Sequence, residues 1–229
     1  MERRVQVICM QSFFTSRSIL PVITLALVIL FSFGSLSVHG AEEPADLEAF
    51  LAKVAEKVAE TGSVSCKFEQ KRSLAVFSKP VIFHGRMAVQ RPDKLRWENI
   101  SPVPSVMIFS GESGIRCNDD AEPLRFDLAT DPVMKMVAEQ IWTWADSAYD
   151  KLRDQYTITL ADAHTVELIP HGGQLEETVA VIRVSFGSDT LQPETVLIRE
   201  KEGDETELRF YEYVSGEQLP ESLFNSCYQ

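Results

Sequence analysis

Basic residues, cysteine and histidine are all scarce in this chain, and each shortage removes a class of function. Lys and Arg number 22 against 34 Asp and Glu, a formal net charge of −12, so the surface as a whole repels nucleic acid and anionic membrane faces. Four cysteines and four histidines are present. The cysteines form no Cys-x-x-Cys and no metal spacing, and His84, His164 and His171 form no His-x-His or His-x-x-x-His pattern, so neither a metal nor a cofactor is expected. Gly111-Glu112-Ser113-Gly114 falls one residue short of Gly-x-Ser-x-Gly and precedes no helical elbow, which leaves no hydrolase nucleophile to name. An enzyme is therefore not expected. No Gly/Ser-rich or Pro-rich linker and no convincing internal repeat divides the chain. One domain with a sizeable core is expected over residues 41–229.

The first forty residues stand apart. Arg3, Arg4 and Arg17 precede an apolar run from Ile19 to Phe33, the segment closes with small residues up to Gly40-Ala41, and no Lys or Arg follows until Lys53. This layout predicts a secretory signal over residues 1–40, cut before Ala41, and hence a periplasmic domain. The alternative is an uncleaved anchor, because the run is near the lower length limit for a membrane span. No Cys stands just after the run, which argues against a lipid-modified N-terminus. Cleavage would remove Glu2 with three arginines and deepen the negative charge by two. Of the cysteines that remain, Cys66, Cys117 and Cys227, one pair can form a disulfide. Cys66 with Cys227 is expected, tying the tail to the first strand, although spacing leaves all three pairings open.

After the signal, Leu47, Phe50, Leu51, Val54 and Val58 fall on one face of a helix that ends near Gly62. The period then changes to two: Val64, Cys66 and Phe68, then Val81, Phe83, Gly85, Met87 and Val89, alternate with polar neighbours. Nine further strands are predicted near 94–99, 104–110, 114–118, 123–128, 155–160, 164–169, 178–186, 194–201 and 205–214. The short turns between them, such as Ser110-Gly111-Glu112-Ser113 and Glu202-Gly203-Asp204, require antiparallel neighbours. The fold class is mainly β with α: an unclosed antiparallel barrel, or half-barrel, covered by short helices.

One stretch breaks the strand rhythm. Asp131-Pro132 starts a helix through Met134, Val137, Ile141, Trp142 and Trp144, and a second short helical piece follows over about 146–153. The first helix reads either as a plain cover over the open mouth of the sheet or as a mobile lid whose Met and aromatic side chains face an apolar ligand.

Phe68-Glu69-Gln70, then Gly85 through Arg91-Pro92-Asp93-Lys94-Leu95-Arg96-Trp97-Glu98, followed by Pro102 and Ser110-Gly111, resemble the LolA family of periplasmic outer-membrane lipoprotein carriers. The resemblance runs over roughly residues 45–225. It implies an apolar cavity that takes the acyl chains of a lipoprotein from an inner-membrane donor complex and passes them to an outer-membrane acceptor, without bond chemistry and as a monomer. Arg91 would bond lid carbonyls or, alternatively, sit as an exposed turn arginine. Phe68, Phe83, Met87 and Trp97 would line or adjoin the cavity, and Met134, Val137, Ile141, Trp142 and Trp144 would belong to the lid. Arg96 reads as a rim or surface support. The chain departs from the family pattern at Ile115-Arg116-Cys117-Asn118, where carriers have Trp-x-Tyr, and at Ser110 of the turn before it. Other readings are a carrier or sensor of another lipid or glycolipid, and a structural module with a filled core.

Overall fold

The computed structural model describes residues 45–118, 121–131, 134, 135, 137–139, 142 and 152–227. The expected signal segment lies outside these residues, as do Ile141 and Trp144 of the expected lid and nearly all of the expected helix over 146–153. Helix α1 (Ala45–Ala59) leads into eleven strands: β1 (Ser63–Ser73), β2 (Val81–Gln90), β3 (Lys94–Ser101), β4 (Ser105–Ser110), β5 (Ser113–Asn118), β6 (Leu124–Asp127), β7 (Tyr156–Asp162), β8 (Thr165–Pro170), β9 (Val179–Phe186), β10 (Pro193–Glu200) and β11 (Glu205–Ser215). A short helix, Gly173–Thr178, stands between β8 and β9, and a 3-10 turn, Glu221–Phe224, follows β11.

All eleven strands form one antiparallel sheet in the order β6-β5-β4-β3-β2-β1-β11-β10-β9-β8-β7. It is two meanders, β1–β6 and β7–β11, joined at the centre by the pairing of β1 with β11. The free edges are β6 and β7, so the sheet is an unclosed half-barrel. Those two edges are consecutive in the chain, and the link between them must pass from one rim of the sheet to the other. Of that link, Met134, Val137, Ala138 and Trp142 lie on the inner face.

Register proves which side chains share that face, since directly opposed residues of an antiparallel pair point the same way. One row crosses the sheet as Val166, Val184, Val196, Leu208, Gln70 and Phe83. Another runs Val64, Val89, Leu95, Phe109, Gly114 and Phe126. Two separate covers lie on this single face. Leu47, Phe50, Leu51 and Val54 of α1 pack on Ile158, Val166, Leu168, Ile182 and Val184, and Met134, Val137, Ala138 and Trp142 pack against Val89, Leu95, Met107 and Phe109.

The outer face has a cover of its own. Phe224, Cys227, Leu219 and Leu223 of the C-terminal tail pack on Ala88, Val106, Ile108, Ile115 and Cys117. Arg96, only 2% exposed, fastens that tail. Its Nη1 donates to the carbonyls of Ser226 (2.7 Å) and Leu223 (3.1 Å), its Nη2 to that of Cys227 (2.9 Å), and its Nε to Glu98 (2.9 Å). A buried guanidinium needs this many acceptors, so Arg96 is a tail anchor and not the rim or surface support expected of it.

The same geometry corrects the disulfide. Cys227 is bonded to Cys117 on β5, with Cα atoms 6.1 Å apart, and Cys66 is a free buried thiol. Cys66 points to the inner face while the tail runs over the outer one, so the sheet itself separates Cys66 from Cys227.

Candidate functional site

Between the two inner covers lies a strip of the sheet that neither closes. Val196, Ile198, Leu208 and Phe210, on β10 and β11, are half-buried, whereas their row-mates Val166, Ile182 and Val184 on one side and Phe68 and Phe83 on the other are buried. The strip is apolar because β10, β11 and β1 alternate with period two, and it stays partly open because the buried contacts of α1 end at β9, with Val196 and Ile198 of β10 packed only at their margin, while Met134, Val137, Ala138 and Trp142 pack over β2–β4.

Three aromatic rings floor it. Phe68 stacks on Trp97 with centroids 4.3 Å apart and an interplanar angle of 30°. Phe210 meets Phe68 at 6.4 Å and Trp97 at 6.3 Å, both edge-on, the offset geometries that ring quadrupoles favour. Phe68 is fully buried, while Trp97 and Phe210 keep part of their surface open. Gly85, opposite Phe68 on β2, makes the packing possible: a Cβ there would run into the Phe68 ring and the Glu98 carbonyl. The device recurs at Gly114, opposite Phe126.

The structure thus brings Phe68, Phe83, Met87 and Trp97 to one face, with Met134, Val137 and Trp142 packed on its β2–β4 half. Arg91, from the β2–β3 turn, is half-buried, and its Nε donates to the Val58 carbonyl in the last turn of α1 at 3.4 Å. Its backbone N–H donates to the Gly62 carbonyl at 2.9 Å. One contact of the Arg91 side chain is therefore to the N-terminal helix, where a cation also meets the negative end of the helix dipole.

Polar groups on the inner face are few. Arg72 is its one buried charge among the described residues, at the end of β1. Near it, Glu200 has its carboxyl pushed above the ordinary 4.5, first by burial and then by Asp204, with Arg72 pulling the other way. Cys66 has its thiol pushed up to about 12 by burial, with a bond to Tyr213 opposing the shift. A thiol so held is inert as a nucleophile. No three His, Cys, Asp or Glu side chains gather as a metal site among the described residues. A shallow depression at the rim, lined by Leu124, Phe126, Thr130 and Asp131, lies beside edge strand β6 and apart from the aromatic floor.

Sequence reasoning misses Phe210 and Arg72 as site residues because their place depends on β1 pairing with β11, a contact between the two ends of the domain. Phe210 is visible there only as one of several strand phenylalanines.

The family model described as "Outer membrane lipoprotein carrier protein LolA" matches residues 59–227. No curated protein matches the chain. Among solved structures, an uncharacterized conserved protein from Thermus thermophilus is 8% identical with a TM-score of 0.50, covering 79% of this chain and 93% of that one. The MucA/MucB complex of Pseudomonas aeruginosa aligns at 13% identity and a TM-score of 0.50, covering 80% of this chain and 61% of the other. A LolA superfamily protein from Nitrosomonas europaea is 12% identical with a TM-score of 0.44, covering 80% and 98%. At these identities the first two likenesses speak for the fold alone.

Proposed function

This chain belongs to the LolA family of outer-membrane lipoprotein carrier proteins, and from that premise we propose that its inner face holds the acyl chains of a lipidated guest and releases them toward the outer membrane. The protein is a periplasmic protein of the carrier fold. The observation that carries the proposal is the half-open apolar strip over Phe68, Trp97 and Phe210. Apolar surface left between two covers gains free energy from any apolar guest that displaces water. A sixteen-carbon chain fully buried there would gain on the order of 12 kcal/mol before ordering costs.

In this mechanism no bond is made or broken. The guest's chains lie along the strip, flanked by α1 on one side and by Met134, Val137, Ala138 and Trp142 on the other, and Arg91 ties the β2–β3 turn to α1. A guest that spreads the covers loosens the Arg91 contact to Val58, and its departure restores it. An inner-membrane donor complex would load the guest and an outer-membrane acceptor would remove it, with the carrier acting as a monomer.

Native mass spectrometry of the protein recovered from the periplasm of its own cell tests this, with released ligands identified after denaturation. A bound lipoprotein is the expected result. A free lipid or glycolipid would move the protein to a carrier or sensor of that lipid, and recovery of the empty protein alone, even after incubation with a purified lipoprotein, would overturn the carrier reading in favour of a filled scaffold.

A further inference from the structure

The link between β1 and β2 is the most apolar exposed feature among the described residues. Val76 is 84% and Phe77 60% exposed, side by side at the tip of a loop. The tip is held in shape from within: the Phe77 N–H donates to the Leu74 carbonyl at 2.9 Å, and the Ala75 N–H donates to Asp204 Oδ1 at 2.8 Å. Two further exposed apolar residues, Ile82 (44%) at the start of β2 and Ile100 (52%) near the end of β3, lie at the same end of the sheet. A cluster of large apolar side chains on an exposed loop costs solubility and marks a contact surface.

Charge around the tip sets it apart from the rest of the molecule. Between Glu69 and Asp93 the chain has Lys71, Arg72, Lys79, Arg86 and Arg91 and no Asp or Glu, inside a protein of net charge −12. Lys71 and Lys79 are exposed on either side of the tip. The adjoining β10–β11 turn is acidic, with basic side chains standing among its carboxylates, and Glu207 of β11 lies opposite Lys71. Asp204 holds the Ala75 amide, Glu205 pairs with Arg199 at 2.8 Å, Glu200 is half-buried beside Arg72, and Lys201 stands next to exposed Glu202.

We propose that this tip is a bilayer contact: Val76 and Phe77 enter the headgroup region of a membrane bearing anionic lipid, with Lys71 and Lys79 at the level of the phosphates. A protruding apolar pair flanked by lysines suits a fluid surface, where any depth of entry is accommodated, and aromatic and lysine side chains favour that boundary. The acidic remainder of the protein does not prevent the contact, because charges beyond about 8 Å are screened at physiological salt. The proposal goes beyond the carrier function and stands whether or not the inner face takes lipid. The two are related in space, since the tip lies at the end of the sheet where Arg72 and Glu200 mark the end of the apolar strip. A carrier so docked presents the mouth of its strip to the membrane.

The test is co-sedimentation of the soluble protein with vesicles of phosphatidylethanolamine and phosphatidylglycerol, and with vesicles of phosphatidylcholine alone. The parent should bind the anionic vesicles, with affinity that falls as salt rises. V76S/F77S should bind about tenfold more weakly, and K71A/K79A roughly fivefold more weakly for each lysine on anionic vesicles only. Both variants should keep the parent's thermal midpoint, because all four side chains are exposed. Absence of parent binding, or equal binding by the parent and V76S/F77S, overturns the proposal and assigns the tip to a protein partner. Loading of a fluorescent fatty acid without vesicles is read in parallel: its loss in V76S/F77S would place the tip in the strip's own machinery and also overturn the proposal, whereas failure of the parent to load, with vesicle binding intact, strikes the carrier function alone.

Discussion

The Phe68 ring lies against Gly85 of the neighbouring strand, and the room it occupies is the room a side chain at 85 would need. Gly85→Ala would force the Phe68 ring off Trp97 and press on the Glu98 carbonyl. Overpacking of this kind costs about 1–3 kcal/mol. Urea denaturation should show a lowered midpoint with an unchanged slope, and an unchanged midpoint would mean that the ring moves freely and that the floor of the strip is soft.

Phe210 offers a way to separate function from folding. It is half-buried and stands edge-on to both Phe68 and Trp97, so Phe210→Asp puts a carboxylate into the strip without emptying the core. Titration with a fluorescent fatty acid should show at least about tenfold weaker loading, from the cost of bringing a charge against the acyl chain. Val184→Ala, buried under α1, should do the reverse and lose about 1–3 kcal/mol of stability with loading retained. Equal loading by parent and Phe210→Asp would remove the guest from this face.

Arg96 and the disulfide hold the tail by independent means. Arg96→Leu strips the bonds to three carbonyls, that of Cys227 buried and those of Leu223 and Ser226 partly so, at a cost of about 2–4 kcal/mol. Breaking Cys117–Cys227, which closes a loop with a sequence separation of 110, should cost up to about 5 kcal/mol. Non-reducing peptide mapping should find that pair, and iodoacetamide at neutral pH should leave Cys66 unlabelled until the protein is unfolded, since burial holds its thiol up at about 12. Rapid labelling of Cys66 in the native protein would refute its burial.

Acid should weaken the protein partly through Glu98. Burial pushes this carboxyl up, but bonds to Arg86 and Arg96 outweigh that and hold it below its ordinary 4.5. Because the folded value is the lower one, the stabilisation is complete above the ordinary value and is lost as the pH falls through and below it. Glu200 has the opposite sign: its raised value means that ionisation at neutral pH opposes folding. Glu98→Gln should flatten the acid limb of a plot of thermal midpoint against pH, and Glu200→Gln should raise the midpoint at neutral pH. The same acid limb in Glu98→Gln as in the parent would exclude the first effect.

Much of the fold can be read in the sequence because its signals are local. The eleven strands lie within a few residues of their expected positions, since alternation in stretches such as Val81–Val89 and turns such as Ser110–Ser113 are set by neighbours in the chain. The stripe Leu47, Phe50, Leu51 and Val54 likewise announces α1. What escapes is whatever depends on distant parts meeting. Arg96 reads as a surface residue because nothing nearby in sequence needs a buried cation, and its partners arrive from residues 223–227. The cysteine pairing fails for a related reason: alternation can place Cys66 and Cys117 on strands, but only the path of the tail over the outer face decides which of them Cys227 can reach. Cys117 itself sits in the stretch that departs from the family pattern, and that departure has a structural use.

The pairing of β1 with β11 also sets a schedule. Val64 lies opposite Ser215 and Ser73 opposite Glu205, so the central seam of the sheet joins the first strand to be made to the last. Until the chain is complete past Glu205, β1 has a partner on one edge only, and contacts of such long separation form slowly. A chain made from its N-terminus therefore lacks the keystone of its sheet until its last strand is available, and the half-barrel closes its central seam only at the end.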